Sequence, residues 1–230
     1  MMEYRVIFED LGLIDYKEAW DYQESVLGDL VLHKFAKSEK KDIPGRLLFC
    51  EHPHVYTIGK SGSEANLLIH EEQLKAVNAS YYKINRGGDI TYHGPGQLVG
   101  YPIFDLDKLG IGVKKYIFQL EESIIQTLKE FDLIGSRLEG ATGVWLDAEV
   151  PGKTRKICAM GVRVSRFVTM HGFAFNVNTN LDYFRYINPC GFVDKGVTSL
   201  QIELGTSVEM EDVKKVLKQK ISSVFGLRFE

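Results

Sequence analysis

Lys156-Ile157-Cys158-Ala159-Met160-Gly161-Val162-Arg163-Val164, followed after Ser165-Arg166-Phe167 by Val168-Thr169-Met170-His171-Gly172-Phe173-Ala174-Phe175-Asn176-Val177, is the stretch whose reading decides the fold. Both runs are rich in β-branched and aromatic residues, and only a few positions part them, which predicts two strands joined as a hairpin. Two adjacent strands with no helix between them argue against a doubly wound parallel sheet, in which strands and helices alternate.

Working outward, Tyr4, Val6 and Phe8 alternate with Arg5, Ile7 and Glu9 as in a short opening strand, and residues 16–37 read as a first helix. Residues 47–51, 55–58, 81–85 and 98–106 read as further strands. Val113, Ile117, Leu120, Ile124, Leu128 and Phe131 recur at helical spacing. A final helix is signalled by Ser207 as N-cap, by Glu209, Glu211 and Asp212 near its start, by later lysines, and by Gly226 past its end. Strands crowd together in the middle and later parts of the chain, so the expected fold class is α+β, with a mixed, largely antiparallel sheet flanked by helices. No repeat, linker or low-complexity tract interrupts it, and residues 1–230 are expected to form one domain.

The chain has 230 residues and 44% hydrophobic content, enough for one sizeable core. Its 28 basic and 31 acidic residues give a net charge of −3, which excludes a global positive field for nucleic acid or an anionic membrane. Three cysteines cannot all pair within the chain and fit a reducing, cytoplasmic compartment. The N-terminus carries no continuous apolar run of the secretory kind, and no run is long enough to span a bilayer, so neither secretion nor membrane insertion is expected.

A cysteine is usually a small buried hydrophobe, and Cys50 and Cys158 fit that role inside apolar runs. Cys190 differs. In Asn188-Pro189-Cys190-Gly191 it stands between two turn-forming residues, where a thiol can meet a substrate. A thiolate needs a base or a cation nearby, and Lys156 could supply either, although it also reads as one lysine of the basic run Lys153-Thr154-Arg155-Lys156. The segment Arg86-Gly87-Gly88-Asp89-Ile90-Thr91-Tyr92-His93-Gly94-Pro95-Gly96-Gln97 lets a ligand approach the backbone closely, as in an acyl pocket. It is not a dinucleotide loop, because Gly94-Pro95-Gly96-Gln97-Leu98-Val99-Gly100 is one residue too long for that fingerprint and no phosphate-loop GK[ST] occurs. Cys50-Glu51-His52-Pro53-His54 could present a thiol and two imidazoles to a metal, but Pro53 opposes a regular strand and no fourth ligand is evident. His93 and His171 read as lone, structural histidines.

Taken in order, Glu51-His52-Pro53 with Tyr56-Thr57-Ile58-Gly59, the segment from Arg86 to Gln97, the segment from Lys156 to Arg163, His171-Gly172-Phe173-Ala174 and Ile187-Asn188-Pro189-Cys190-Gly191 resemble the octanoyl-[acyl-carrier-protein]:protein N-octanoyltransferases, the lipoyl(octanoyl) transferases, over nearly the whole chain. The resemblance implies an α+β fold shared with lipoate and biotin protein ligases. It also implies that Cys190 carries the acyl group and that Lys156 lowers the thiol's pKa and assists proton transfer. Substrate contacts are implied for Arg86, Gly87, Gly88, Asp89, Ile90, Thr91, Tyr92 and His93, for Ala159, Met160 and Gly161, and for Gly172, Phe173 and Ala174. Ala159 stands where many relatives carry serine and Phe173 where leucine is common.

The implied reaction moves octanoate from acyl carrier protein through a cysteine thioester to a lysine of lipoyl domains, those of 2-oxoacid dehydrogenase complexes and the glycine cleavage H protein. It needs no ATP, metal or other cofactor, because the thioester is already activated. The rival readings are an ATP-dependent lipoate or biotin ligase, a thiol acyl hydrolase using Cys190 with His171, and a carrier-binding protein without chemistry. Acidic carriers would need a local basic patch, for which Lys153, Arg155, Arg163 and Arg166 are the candidates.

Overall fold

The computed structural model describes residues 4–36, 43–188 and 195–230. Its strands are β1 (Tyr4–Leu13), β2 (Gly45–Glu51), β3 (Val55–Ile58), β4 (Ser80–Lys83), β5 (Ile90–His93), β6 (Gln97–Ile103), β7 (Ser136–Leu138), β8 (Ala141–Leu146), β9 (Arg155–Ser165), β10 (Val168–Asn176), β11 (Gly196–Val197) and β12 (Leu227–Phe229). Its helices are α1 (Tyr16–Phe35), α2 (Glu71–Ala76), α3 (Leu106–Leu109), α4 (Val113–Lys129), α5 (Leu200–Leu204) and α6 (Met210–Phe225).

The hairpin that decided the class is present. Ser165 pairs with Val168, and the two residues between them, Arg166 and Phe167, both take positive φ, the geometry of the turn whose twist matches that of the strands it joins. Among the described residues the larger sheet runs β12-β1-β2-β6-β10-β9-β8-β7, with β11 alongside β9. The pairs from β2 through β7 are antiparallel, whereas β1 lies parallel to both β2 and β12 and β11 lies parallel to β9. The sheet is therefore mixed and largely antiparallel, as the strand spacing implies. A smaller sheet, β4-β3-β5, stands beside it.

Period-two alternation buries both faces of the larger sheet. On β2, Leu47 and Phe49 enter one core with Tyr116, Leu120, Ile124 and Leu128 of α4 and Val213, Leu217 and Ile221 of α6. Leu48 and Cys50 face the other way, toward Ala19, Val26, Leu27 and Leu30 of α1. The small sheet closes its own cluster around Tyr56, Ile58 and Tyr92 with α2 and the 3-10 turn Leu181–Tyr186.

Several boundaries differ from the sequence reading. Asp15 caps α1 through its carboxylate, which accepts the Lys17 and Glu18 N–H groups, and the helix ends at Phe35. Strand β6 stops at Ile103, because Asp105 starts a new helical turn at Leu106. Helix α4 ends at Lys129, yet Phe131 still packs on the core. Helix α6 is capped at Glu209, two residues beyond Ser207, and closes at Gly226 in the left-handed conformation as expected. Strands β5, β7, β8, β11 and β12 were not foreseen; β5 lies inside the glycine-rich segment, and β11 and β12 are too short to show a period.

Strands β6 and β10 approach each other through two glycines. A Cβ on Gly172 would stand 2.2 Å from the Gly100 carbonyl oxygen, and one on Gly100 would stand 2.1 Å from the Phe173 ring. Gly172→Ala should therefore push the central strands apart and lower stability by about 1–3 kcal/mol, read as a drop in the urea midpoint at unchanged m-value.

Candidate active site

A cavity of about 450 Å³ opens where β9 and β10 pass the glycine-rich segment. Arg86, Gly87, Gly88, Asp89, Ile90, Thr91 and His93 form one wall, and Ala159, Met160, Gly161, Gly172, Phe173 and Ala174 form its floor. Lys156 lies on its border with Thr142 and Trp145. Of the expected substrate contacts that are described, Tyr92 alone does not line the cavity: Thr91 and His93 face it, while Tyr92 packs with Tyr56 and stacks on Tyr183 at 4.9 Å. Cys190 lies outside the described residues. Lys195, Gly196 and Val197, which follow it in sequence, line the cavity, and Val197 pairs directly with Lys156 across β11 and β9.

Among the described residues, Thr142 and Trp145 hold the Lys156 ammonium. Nζ donates to the Thr142 carbonyl at 3.2 Å and sits 4.5 Å from the centroid of the Trp145 ring, a cation–π contact. Gly143, at φ +123°, lets β8 pass: a Cβ there would meet the Cys158 carbonyl at 2.5 Å and the lysine stem at 3.4 Å. Behind it the buried Glu121 accepts the Gly143 N–H at 3.0 Å and pairs with Arg137 at 3.1 Å.

Arg86 is buried, and its guanidinium faces inward. Nη2 donates to the Thr57 carbonyl at 2.8 Å and hydroxyl at 3.1 Å, and Nη1 donates to the Gly87 carbonyl at 3.0 Å. The Gly87 N–H in turn donates to Val162 at 2.9 Å, fastening the glycine-rich segment to β9.

Three buried imidazoles gather beyond it, each with its tautomer set by neighbours. His93 Nδ1–H donates to Gln97 Oε1 at 2.8 Å, since the Gln97 amide nitrogen is committed to Asn176 at 2.9 Å. His52 Nδ1–H donates to the Ile14 carbonyl at 2.8 Å, and its Nε2 accepts the Tyr101 hydroxyl at 2.7 Å. His171 Nε2–H donates to Asn85 Oδ1 at 2.9 Å. Burial holds all three pKa values below the ordinary range, near 4 for His52 and near 3 for His93 and His171, with the Arg86 charge adding to the shift at His93 and His171. They are neutral groups at physiological pH.

Cys50 and Cys158 are fully buried, and burial pushes both thiols up, in agreement with the reading of them as core residues. The Cys50-to-His54 constellation does not converge. Cys50 Sγ lies 3.4 Å from His52, but His54 stacks on Tyr183 at 4.1 Å and bonds Tyr92, and no three such donors gather for a metal among the described residues. Of the proposed docking cations, Arg155 pairs with Glu203 and Asp147, Arg163 pairs with Glu24, and Arg166 lies in the turn beyond the far end of the eleven-residue β9. Tyr16, Val99, Tyr101, Trp145 and Lys195 also border the cavity without having been picked out from the sequence, where single aromatic and aliphatic residues carry no local motif.

This sheet, with a cavity lined by β9, β10 and a glycine-rich wall, belongs to a fold shared with solved lipoate protein ligases. The chain belongs to the lipoyl protein ligase A/B catalytic domain family, whose model matches residues 15–222. Within it the chain stands among the octanoyltransferases. That of Cytophaga hutchinsonii is 54% identical over 230 residues, covering 98% of this chain and 94% of the relative. That of Parabacteroides distasonis is 57% identical over 219 residues, covering 95% and 98%. In fold, the chain is similar to the bipartite lipoate protein ligase of Thermoplasma acidophilum, with a TM-score of 0.69 at 16% identity over 100% of this chain and 86% of that one.

The neutral histidines give the site a pH signature. With folded pKa values depressed, the unfolded chain takes up protons first as pH falls below about 6.5, so this contribution to stability is complete above that value and is lost between it and the folded values near 3–4. Each of the three should remove about 1.4 kcal/mol between pH 7.5 and 5.5. Urea titrations at the two pH values measure the sum, and His171→Asn should reduce the difference by one histidine's share.

Proposed function

We propose that the chain transfers octanoate from octanoyl-acyl carrier protein to a lysine of a lipoyl domain through a thioester on Cys190. The observation that carries this reading is Lys156: its ammonium borders an acyl-sized cavity, on a strand paired with β11, which the chain enters just after the Asn188-Pro189-Cys190-Gly191 segment. Support also comes from the octanoyltransferase names of relatives more than half identical to it.

In the first step the Cys190 thiolate, stabilised by the Lys156 cation, attacks the thioester carbonyl carbon. The carrier's sulfur leaves and takes its proton from the Lys156 ammonium, which becomes the amine, and Cys190 holds the octanoyl group. In the second step the neutral amine of the lipoyl-domain lysine attacks the same carbon, the C–S bond breaks, and an amide forms as the thiolate returns. Lys156 in its amine form accepts the proton that the incoming nitrogen releases. A thioester replaces a thioester and is then exchanged for a more stable amide, so the reaction needs neither ATP nor a metal. Arg86 to Thr91, His93, Ala159 to Gly161 and Gly172 to Ala174 would enclose the acyl chain.

The acceptors would be the lipoyl domains of 2-oxoacid dehydrogenase complexes and the glycine cleavage H protein. A lipoate protein ligase of similar fold has been solved with its E2 lipoyl domain. Residues 1–230 would act as one catalytic domain in the cytoplasm; no described helix is long and apolar enough to cross a membrane.

Intact mass after mixing with octanoyl-carrier should reveal one octanoyl adduct, mapped to Cys190 and lost in Cys190→Ser. An adduct on Cys50 or Cys158, or undiminished transfer by Cys190→Ser, would overturn the assignment. Lys156→Ala should keep the fold and lower transfer by about a hundredfold or more, with the alkylation pKa of Cys190 raised.

A further inference from the structure

We propose that Trp145 is a positioning residue for acyl transfer: the face of its ring keeps Lys156 an ammonium in the free enzyme and so sets the upper pH limit of the acylation step. This rests on the acyl-transfer reading above, in which Lys156 enters the first step as the cation and gives its proton to the departing sulfur.

The placement follows from strand register. Trp145 on β8 pairs directly with Lys156 on β9, which puts the two side chains next to each other, and both line the cavity. The register shifts between Val144 and Trp145, just after Gly143 at φ +123°, and Glu121 of α4 fixes this irregular stretch by accepting the Gly143 N–H at 3.0 Å. The indole is held in turn: it is 2% exposed, and its Nε1–H donates to the Ala141 carbonyl at 2.9 Å. Nζ of Lys156 lies over its ring, 4.5 Å from the centroid, and donates to the Thr142 carbonyl at 3.2 Å.

Both contacts are dipolar. A ring face and a carbonyl oxygen attract the ammonium more than the neutral amine, yet neither brings a full negative charge that would cancel the cation's field at a thiolate. Other groups act on the same ammonium. Burial keeps the Cys158 thiol, two residues along β9, protonated, and Glu121 behind β8 is engaged with Gly143 and Arg137. Arg155 is engaged with Glu203 and Asp147, Lys195 stands ahead of β11, and Arg86, Asp89, His93 and His171 share the cavity lining. A change confined to the electrons of the ring leaves all of these in place.

Fluorinated tryptophan makes that change: each ring fluorine weakens the negative face while shape and Nε1–H are kept. The chain holds two tryptophans, Trp20 and Trp145, so labelled Trp20→Phe carries fluorine at Trp145 alone and labelled Trp145→Phe at Trp20 alone. Two quantities are followed from unlabelled to tetrafluorinated protein. One is the Lys156 pKa, read from the Cε shift of isotope-labelled lysine and assigned by the signal missing in Lys156→Ala. The other is the pH profile of kcat/KM for an octanoyl thioester, with urea midpoints recorded alongside.

In Trp20→Phe the Lys156 pKa should fall stepwise, by about one unit at full fluorination. A less stabilised ammonium is lost at lower pH, so the alkaline limb of the profile should move down by the same amount while the acid limb, which reports the thiol, stays. Labelled Trp145→Phe should show neither shift; where one of the two variants does not fold, labelled wild type set against the other decides. A ring that only fills space would change the urea midpoint and leave both quantities unmoved, which overturns the proposal, as does a shift in one without the other. A wild type that loads no octanoate overturns the transfer reading itself, whereas one that loads octanoate and ignores fluorine sinks only the role of Trp145.

Discussion

The buried guanidinium of Arg86 is the constraint on which the rest of the site depends. It holds Thr57 on β3 of the small sheet, while the adjoining Gly87 N–H donates to the Val162 carbonyl on β9 of the large one, so the segment ties the two sheets together. The backbone on either side is bare to make room for it: a Cβ on Gly59 would come within 2.9 Å of Nη1, and one on Gly161 within 3.0 Å of Cδ. A cation withdrawn from water needs its donors satisfied, and carbonyls of Thr57 and Gly87 and a hydroxyl provide that. Its charge then adds to the desolvation that keeps His93 and His171 unprotonated.

The cavity is consequently polarised along its length. One end carries a cation whose stem and head are positioned by Gly143, Thr142 and Trp145. The other carries neutral rings with assigned hydrogens. Between them Ala159, Met160, Phe173 and Ala174 contribute apolar surface. Positive-φ backbone is found at Gly143, where glycine adopts it freely, and at His171, where geometry has to be imposed against local preference.

The hairpin, α1, α4 and α6 were legible in the sequence because each is long enough for its period to repeat. The site was legible in a different way, through residues in fixed order. Composition and spacing by themselves could not tell the Arg86 segment from a plain turn, and they marked His93 and His171 as isolated, although the fold brings both to one cavity. Lys156 looked like one of several surface cations; its selection by Trp145 depends on strand β8, which a glycine with positive φ had concealed. Tyr92 was included because its neighbours on both sides were, yet strand alternation turns it into the tyrosine cluster. The basic residues near Lys156 were grouped by sequence proximity, whereas the strand spreads them along its length and acidic partners neutralise two of them. Pairings between distant segments, such as β1 with β12, leave no local trace at all.

That last pairing bears on the order of folding. Tyr4 lies beside Leu227, and the Glu230 N–H donates to the Val6 carbonyl, so this edge closes a loop spanning nearly the whole chain. Such contacts pay their chain entropy before any reward arrives, whereas β9 and β10 meet through a two-residue turn. During synthesis the hairpin that floors the cavity can therefore assemble while the partner of β1 is still unmade, and the parallel edge is necessarily the late event.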